Sequence, residues 1–492
     1  MRCFLLLLLS FFILCKCNAS SYKYEYDTNC AKAYAYFTAL HIQDGNSIIE
    51  AALRSEPTNL LVSYIADYDD CLSLIFNPDP AEYERRKAHF EQRLSLLDKG
   101  DENSPWYRFC KAGLYFHWAL VYFRQGENVK AAIAFRKSYL LVKENEKKFP
   151  AFIYNNVFAG VGEALAGAIP DSYKWFASIF GIKGSIRKGG DLLSAFIIIH
   201  TDKDFLYTEA VIYRTYLLFY LLQQKEIAWQ YLNTEHFSVE NNLFNAFVKS
   251  NIALNYKKAD IAIQTLKIAE RSKDYDQLPM LDYQMAYGLL YKQDTGCLYY
   301  FQRFLKHNKG KDFIKDTWQI MALEYYVLGK MPNARYCREQ INKVGRTQVD
   351  VDKQAQRFYQ TSHWPARELV QARMLIEGGY FEQALDVLLK TDYKGYHNIA
   401  DKLEYSFRMG RVYDELGKTD MALQCYSVVI EAGRNRTEYF AARAALQMAF
   451  IYEHTGKTKQ AIAKYEEVLT MRNHDFQASI DQQAKAGINR LQ

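Results

Sequence analysis

Residues 405–432, YSFRMGRVYDELGKTDMALQCYSVVIEA, and residues 444–470, AALQMAFIYEHTGKTKQAIAKYEEVLT, are two copies of one pattern. Setting Gly417-Lys418 on Gly456-Lys457 places Tyr413 on Tyr452, Ala422 on Ala461 and Tyr426 on Tyr465, each 39 residues apart. A fixed period of this length, with apolar residues at three- and four-residue spacing, describes a pair of antiparallel helices repeated along the chain. In the first helix of each pair a small residue (Gly410, Ala449) permits close approach, and an aromatic (Tyr413, Tyr452) fills the space beside it. A glycine then turns the chain. In the second helix Ala422 or Ala461 seats it against the first, and Tyr426 or Tyr465 packs toward the neighbouring pair. One hairpin cannot bury both of its faces, so such units fold by stacking. The expected fold is all-α: an α-α superhelix, a solenoid of antiparallel helical hairpins.

Further copies follow the pattern at 364–390 (Ala372, Gly379, Ala384), at 322–338 (Ala322, Tyr325, Gly329, Ala334) and at 118–139 (Trp118, Ala119, Tyr122, Gly126, Ala131, Phe135). Elsewhere it decays. In 243–268 Ala262 and Leu266 alone keep it, and in 285–305 the step from Ala286 to Cys297 is one residue short. These residues resemble the tetratricopeptide repeat, whose units carry small, aromatic, glycine, alanine and aromatic residues in this order. Composition agrees with continuous helix. The chain of 492 residues has 39 Tyr and 30 Phe but 9 Pro, so little interrupts the backbone ladder. Upstream, 47–55 and 59–76 show helical spacing, Asn77-Pro78-Asp79-Pro80 breaks the chain, and a helix runs on to Gly100. No Gly- or Ser-rich linker separates independent domains. The expected organisation is a signal peptide at 1–19, an N-terminal helical region at 20–104, a degenerate array at 105–350 with a Gly-rich connector at 181–190, and a C-terminal array at 351–492.

The connector tests for nucleotide chemistry. A phosphate-binding loop needs Gly, four residues, Gly, Lys and Ser or Thr between a strand and a helix. Gly184 and Gly189 have that interval, but Gly190 and Asp191 stand where Lys and Ser/Thr belong, and the preceding SYKWFASIF has helical spacing. The glycines suit a helix connection, and a bend of the solenoid is expected there. The stretch is similar to the middle of the tetratricopeptide repeat domain 39 family and the related fungal inclusion-body clearance proteins. Pro170, Trp175, Ile179, Gly181, Gly184, Gly189 and Leu193 carry the likeness, with FAGVGEALAGAIP before them and EPTNLLVSY at 56–64. The resemblance implies the same helical-repeat fold. Those relatives are intracellular, so their partners are not carried over to a chain with an export signal.

That signal is MRCFLLLLLSFFILCKCNA. Arg2 precedes an apolar run from Phe4 to Leu14, and Cys17-Asn18-Ala19 supplies small residues for cleavage. The run is shorter than the roughly twenty residues a membrane span requires. Cleavage after Ala19 and export are expected; an uncleaved anchor or lipidation at Cys15 or Cys17 are the alternatives. No second apolar run predicts an integral membrane span after cleavage. With 62 basic against 56 acidic residues, no nucleic-acid partner is expected.

Cys30, Cys71, Cys110, Cys297, Cys337 and Cys425 show no metal-ligand spacing. In an oxidising compartment Cys30 and Cys71 are the first pair to consider for a disulfide, and buried free thiols are the equal alternative. The histidines form no zinc motif, and His200 and His397 stand isolated. Asp67, Asp69 and Asp70 read as a solvated helix face before a cation site, since no calcium-type loop surrounds them. No Gly-x-Ser-x-Gly is present. No catalytic residue, cofactor or metal is therefore expected. The remaining function class is binding. On the first helices the expected groove residues are Phe116, Phe123 and Arg124; Phe407, Arg411, Asp414 and Glu415; and Leu446, Phe450, Glu453 and His454. Aromatics give contact area and charges set register. The expectation is an exported, periplasmic or secreted, non-enzymatic scaffold that binds a protein partner in the concave groove, with a carbohydrate- or lipid-binding envelope protein as the alternative.

Overall fold

A computed structural model of the chain describes residues 22–168, 184–234, 237–361 and 363–491. The expected signal at 1–19 lies outside them, as do Pro170, Trp175, Ile179 and Gly181 of the connector. The described residues form helices; the one β-type pairing among them is an isolated bridge between Lys23 and Asn59. They fall into two compact units, one holding 22–168 and 184–228, the other 229–491.

In the first unit α1 (Thr28–Thr38) pairs with α2 (Ile42–Ser55), and α3 (Leu60–Ile65), α4 (Asp67–Phe76) and α5 (Pro80–Leu97) follow. Then come the long hairpin of α6 (Pro105–Gln125) and α7 (Asn128–Lys148), and α8 (Asn155–Gly167), α9 (Ile186–Ile199) and α10 (Tyr207–Tyr216). Start signals are local. Asp79 and Ser104 each cap the helix that follows, accepting from Ala81 N and Trp106 N, and a proline fills the first helical position of both. The connector glycines bring α8 and α9 into contact. A Cβ at Gly184 would lie 2.3 Å from Glu163 O, and one at Gly189 2.5 Å from Gly160 O. Only glycine allows backbones that near.

The second unit is the repeat array. Its hairpins are α11 (Leu243–Asn255) with α12 (Ala259–Ala269), α13 (Pro279–Tyr291) with α14 (Cys297–His307), and α15 (Ile314–Val327) with α16 (Met331–Lys343). An unpaired α17 (Asp350–Gln360) interrupts them. Then follow α18 (Arg367–Gly378) with α19 (Phe381–Leu389), α20 (Ile399–Glu415) with α21 (Thr419–Gly433), α22 (Phe440–His454) with α23 (Thr458–Thr470), and a last helix, α24 (Gln477–Leu491). Every segment in which the sequence pattern decays is still a hairpin. Tyr426 and Tyr465 are fully buried, and so are the alanines at 422 and 461.

The array also curls. Helix α18 packs against α11, α13 and α15, the first helices of all three earlier hairpins. The turn after α18 thereby meets the turn after α11. Gly379 has φ +89°, and a Cβ there would lie 2.1 Å from Lys257 O. Gly417 has a similar φ of +71° but open space around it. Gly417→Ala is therefore expected to cost about 1 kcal/mol of stability, the price of the left-handed backbone alone. Gly379→Ala carries the same backbone cost plus a backbone clash, and is expected to exceed it by about 2 kcal/mol or more. Urea unfolding of the two variants, followed by circular dichroism, checks the difference; equal losses would contradict the contact between the two turns.

Candidate functional site

The chemistry-like clusters of the first unit are occupied by internal contacts. Beside the connector, Lys188 Nζ lies 2.8 Å from Glu163 Oε1, as does Lys143 Nζ, and Glu163 Oε2 accepts from Ser185 N at 3.1 Å. Burial alone would raise the Glu163 carboxyl, but the two lysines hold it below the usual range. Lys188 therefore serves a helix contact.

The acidic cluster on α4 is a correction to the sequence reading, being neither solvated nor a cation site. Asp67 and Asp70 are 0% and 1% exposed. Asp67 accepts from Trp118 Nε1 at 2.9 Å and meets His117 Nδ1 at 2.9 Å. Asp70 meets Arg86 at 2.7 Å, His89 at 2.9 Å and Arg93 at 2.5 Å. Burial favours a neutral Asp70, and Arg93 and His89 more than offset it, so its carboxyl sits below its ordinary value. These partners come from α5 and α6, and the cluster ties three helices together. Nearby, both carboxyl oxygens of the buried Glu209 are hydrogen-bonded, one to Tyr34 and one to Tyr68. All six cysteines in the described residues are free, so Cys30 and Cys71 are not bridged. Cys30 Sγ faces Glu25 O and Cys71 Sγ faces His117 O.

The expected groove residues separate into three groups. Phe116, Phe407 and Leu446 are core, 4%, 1% and 0% exposed, which corrects their placement in a groove. Phe116 packs on Phe158 and Tyr213, and Phe407 on Tyr426, Tyr439 and Phe440. Each stands three residues before its small residue (Ala119, Gly410, Ala449), on the same helix face, and that face is the one pressed against its neighbours. Phe123 is exposed and Arg124 donates to Ile75 O at 3.0 Å, both in the first unit. Arg411, Asp414, Glu415, Phe450, Glu453 and His454 all lie on α20 and α22. Glu453 is held by Arg490 at 3.0 and 2.9 Å and by Tyr465. Phe450 is half-buried with its ring on Tyr465, 5.9 Å between centroids.

Around Arg411 the structure adds residues that the sequence reading missed. Lys257, from the turn docked on Gly379, pairs with Glu415, and Arg411 is 3.8 Å from the same carboxylate. Glu377 on α18 feels Arg411, Lys257, Arg408 and Arg373, whose charges outweigh its burial and keep its carboxyl low. Burial and the charge of Arg411 push the Lys257 amine down despite Glu415. Arg443 on α22 is likewise pushed down by burial and by Arg411. Its guanidinium makes one hydrogen bond among the described residues, to Gln483 at 3.4 Å. Arg408 is paired with Glu404 at 2.8 Å. Neither Arg373 nor Glu377 has a hydrogen bond or ion pair from its side chain to a described residue. The result is a face where cations outnumber the carboxylates in contact with them. Two of the missed residues were in the period: Arg373 follows Ala372 as Arg411 follows Gly410, and Glu377 and Glu415 each come five residues after the small one. Lys257 was not, because only the curl of the array delivers it.

These features define an all-α solenoid of antiparallel hairpins with a charged face on the first helices of its C-terminal repeats. Residues 404–432, most of the α20–α21 hairpin, match the family model described as Tetratricopeptide repeat. No curated protein matches the chain. Among solved structures it is similar to the APC/C hetero-tetramer Cut9-Hcn1, at 12% identity over 92% of this chain and 95% of that one, with a TM-score of 0.26. It is also similar to a structure of Naa15/Naa10 bound to HypK-THB, at 13% identity over 93% and 78%, with a TM-score of 0.19. At such scores neither likeness carries an argument about this chain.

Glu209 sets the pH signature of the first unit. Burial pushes its carboxyl up to about 8 from an ordinary 4.5, with Tyr26, Tyr34, Tyr68 and Tyr213 around it. Between those values the unfolded chain releases a proton that the folded chain keeps. Stability is therefore full below the lower value and falls as pH rises toward the upper one, by at most about 1.4 kcal/mol per pH unit. Glu209→Gln is expected to remove this slope, so that the variant gains on wild type between acidic and mildly alkaline pH. Urea midpoints across that range check it; parallel profiles would contradict it.

Proposed function

We propose that this chain is a non-enzymatic scaffold of the cell envelope or secretory space that binds another protein on the inner face of α18, α20 and α22. The observation that carries the reading is the set of arginines on that face, Arg373, Arg411 and Arg443, all partly buried: Arg411 reaches only the Glu415 carboxylate, at 3.8 Å, Arg443 makes one long hydrogen bond to Gln483, and Arg373 shares the charge of Glu377 with three other cations. Desolvated cations with few and distant acceptors are costly, and a partner that supplies closer ones recovers that cost. Helical-repeat arrays offer this kind of extended, preformed surface. The setting rests on the first nineteen residues, whose basic start, apolar run and small residues suit an export signal.

A photo-crosslinking amino acid at Phe450 is expected to capture a discrete protein in cells. The same group at Val428, exposed on the second helix of the neighbouring hairpin, is expected to capture none. Equal labelling from both positions, or none from Phe450, would contradict binding on this face. A C-terminal phosphatase reporter that is active only outside the cytoplasm tests the setting; an inactive but intact fusion would contradict export.

A further inference from the structure

Positions one residue after the small residue of the first helix form a ladder: Arg373 on α18, Arg411 on α20 and Phe450 on α22. We infer that this ladder reads an extended acidic peptide segment of the partner, two carboxylates followed by an apolar residue, each about three residues apart. The inference rests on the reading that this face binds protein, and it names what the partner must carry.

The spacing comes from geometry. Packed helices lie about 8–10 Å apart, and an extended chain advances about 3.3 Å per residue, so adjacent rungs match side chains about three residues apart. The chemistry comes from the side chains. Arginine presents a planar fork that fits a carboxylate through two parallel hydrogen bonds, and Arg373 and Arg411 hold equivalent positions on neighbouring helices. Arg411 has only a long contact to Glu415, at 3.8 Å, and Glu415 is already taken by Lys257. Arg443 stands beside Arg411 with a single weak bond to Gln483. The third rung changes character: Phe450 offers a half-buried ring against Tyr465, a seat for an apolar side chain.

The same face argues against a polyphosphate or nucleic acid. Glu377, Asp414 and Glu415 lie among the arginines and would meet a backbone charged at every step. A peptide avoids that repulsion between its acidic residues, and its backbone N–H groups are donors for carboxylates such as Glu377. A surface of alternating sign suits a ligand with spaced charges and donors between them.

The probe is a fluorescein-labelled short peptide with two glutamates three residues apart and a leucine three residues further on, titrated against the full chain by anisotropy. Saturable binding is expected, weakening by about tenfold or more when both glutamates become glutamine, about 1.4 kcal/mol. Raising salt is expected to weaken the acidic peptide alone. Arg373→Gln and Arg411→Gln are each expected to weaken it several-fold with unchanged circular dichroism, and Phe450→Ser is expected to abolish the preference for leucine over serine in the peptide. The glutamine peptide needs no protein variant, so the comparison holds even where a substitution disturbs folding. Equal affinity for the glutamate and glutamine peptides, or failure of the acidic peptide to bind, would overturn the inference. So would tighter binding of inorganic polyphosphate that displaces the peptide. A protein crosslinked at position 450 together with equal peptide affinities sinks this inference and leaves the protein-binding reading standing. Acid-dependent peptide binding with no crosslink in cells sinks that reading alone.

Discussion

The array depends on one packing relation: a tyrosine of the second helix buried against a small residue of the first. The ring of Tyr426 lies 2.6 Å from where a Cβ of Gly410 would be, so any larger residue there would displace it. Tyr465 repeats the relation one unit on, buried beside Ala449's helix and pressed against Gly487 of α24, where a Cβ would meet it at 2.3 Å. Each ring therefore joins more than one helix. Burying one such side chain contributes about 1.5–3 kcal/mol, and the contribution exists only when the hairpins are together. This is why a period shows in the sequence at all. With these rings in place, α20 and α22 are each held against the second helix of their own hairpin.

The departures from regularity build the charged face. The unpaired α17 breaks the alternation of first and second helices, and α18 then packs against the first helices of three earlier hairpins. That places the α11 turn against Gly379 and carries Lys257 to Glu415, 158 residues away in sequence. Cations from three helices and one turn then share a small space with fewer carboxylates in contact. Their mutual repulsion is visible in Lys257 and Arg443, both pushed toward the neutral form by burial and by Arg411.

What the sequence made legible follows from the range of each interaction. The hairpins of 405–470 were readable because small residue, aromatic, turn glycine and alanine all lie within one unit. The decayed copies at 243–268 and 285–305 fold the same way, because stacking against neighbours substitutes for local signal. Phe116, Phe407 and Leu446 were misplaced for a single reason: a residue three before the small one shares its buried face, while the residue one after it (Arg373, Arg411, Phe450) is only partly buried. Arg373 and Glu377 were within reach of the same alignment. The α4 acids were not, since Arg86, His89, Arg93, His117 and Trp118 reach Asp67 and Asp70 from helices that only the fold brings near. The connector at Gly184–Gly190 resolves as backbone contact between α8 and α9, with Lys188 committed to Glu163.

The central claim is that binding uses the inward face of the first helices, α18, α20 and α22. Hydrogen–deuterium exchange of the full chain, with and without a saturating acidic peptide, tests it most directly. Slowed exchange is predicted in 367–378, 399–415 and 440–454, with 381–389, 419–433 and 458–470 unchanged. Protection confined to the second helices, or to the first unit, would contradict it.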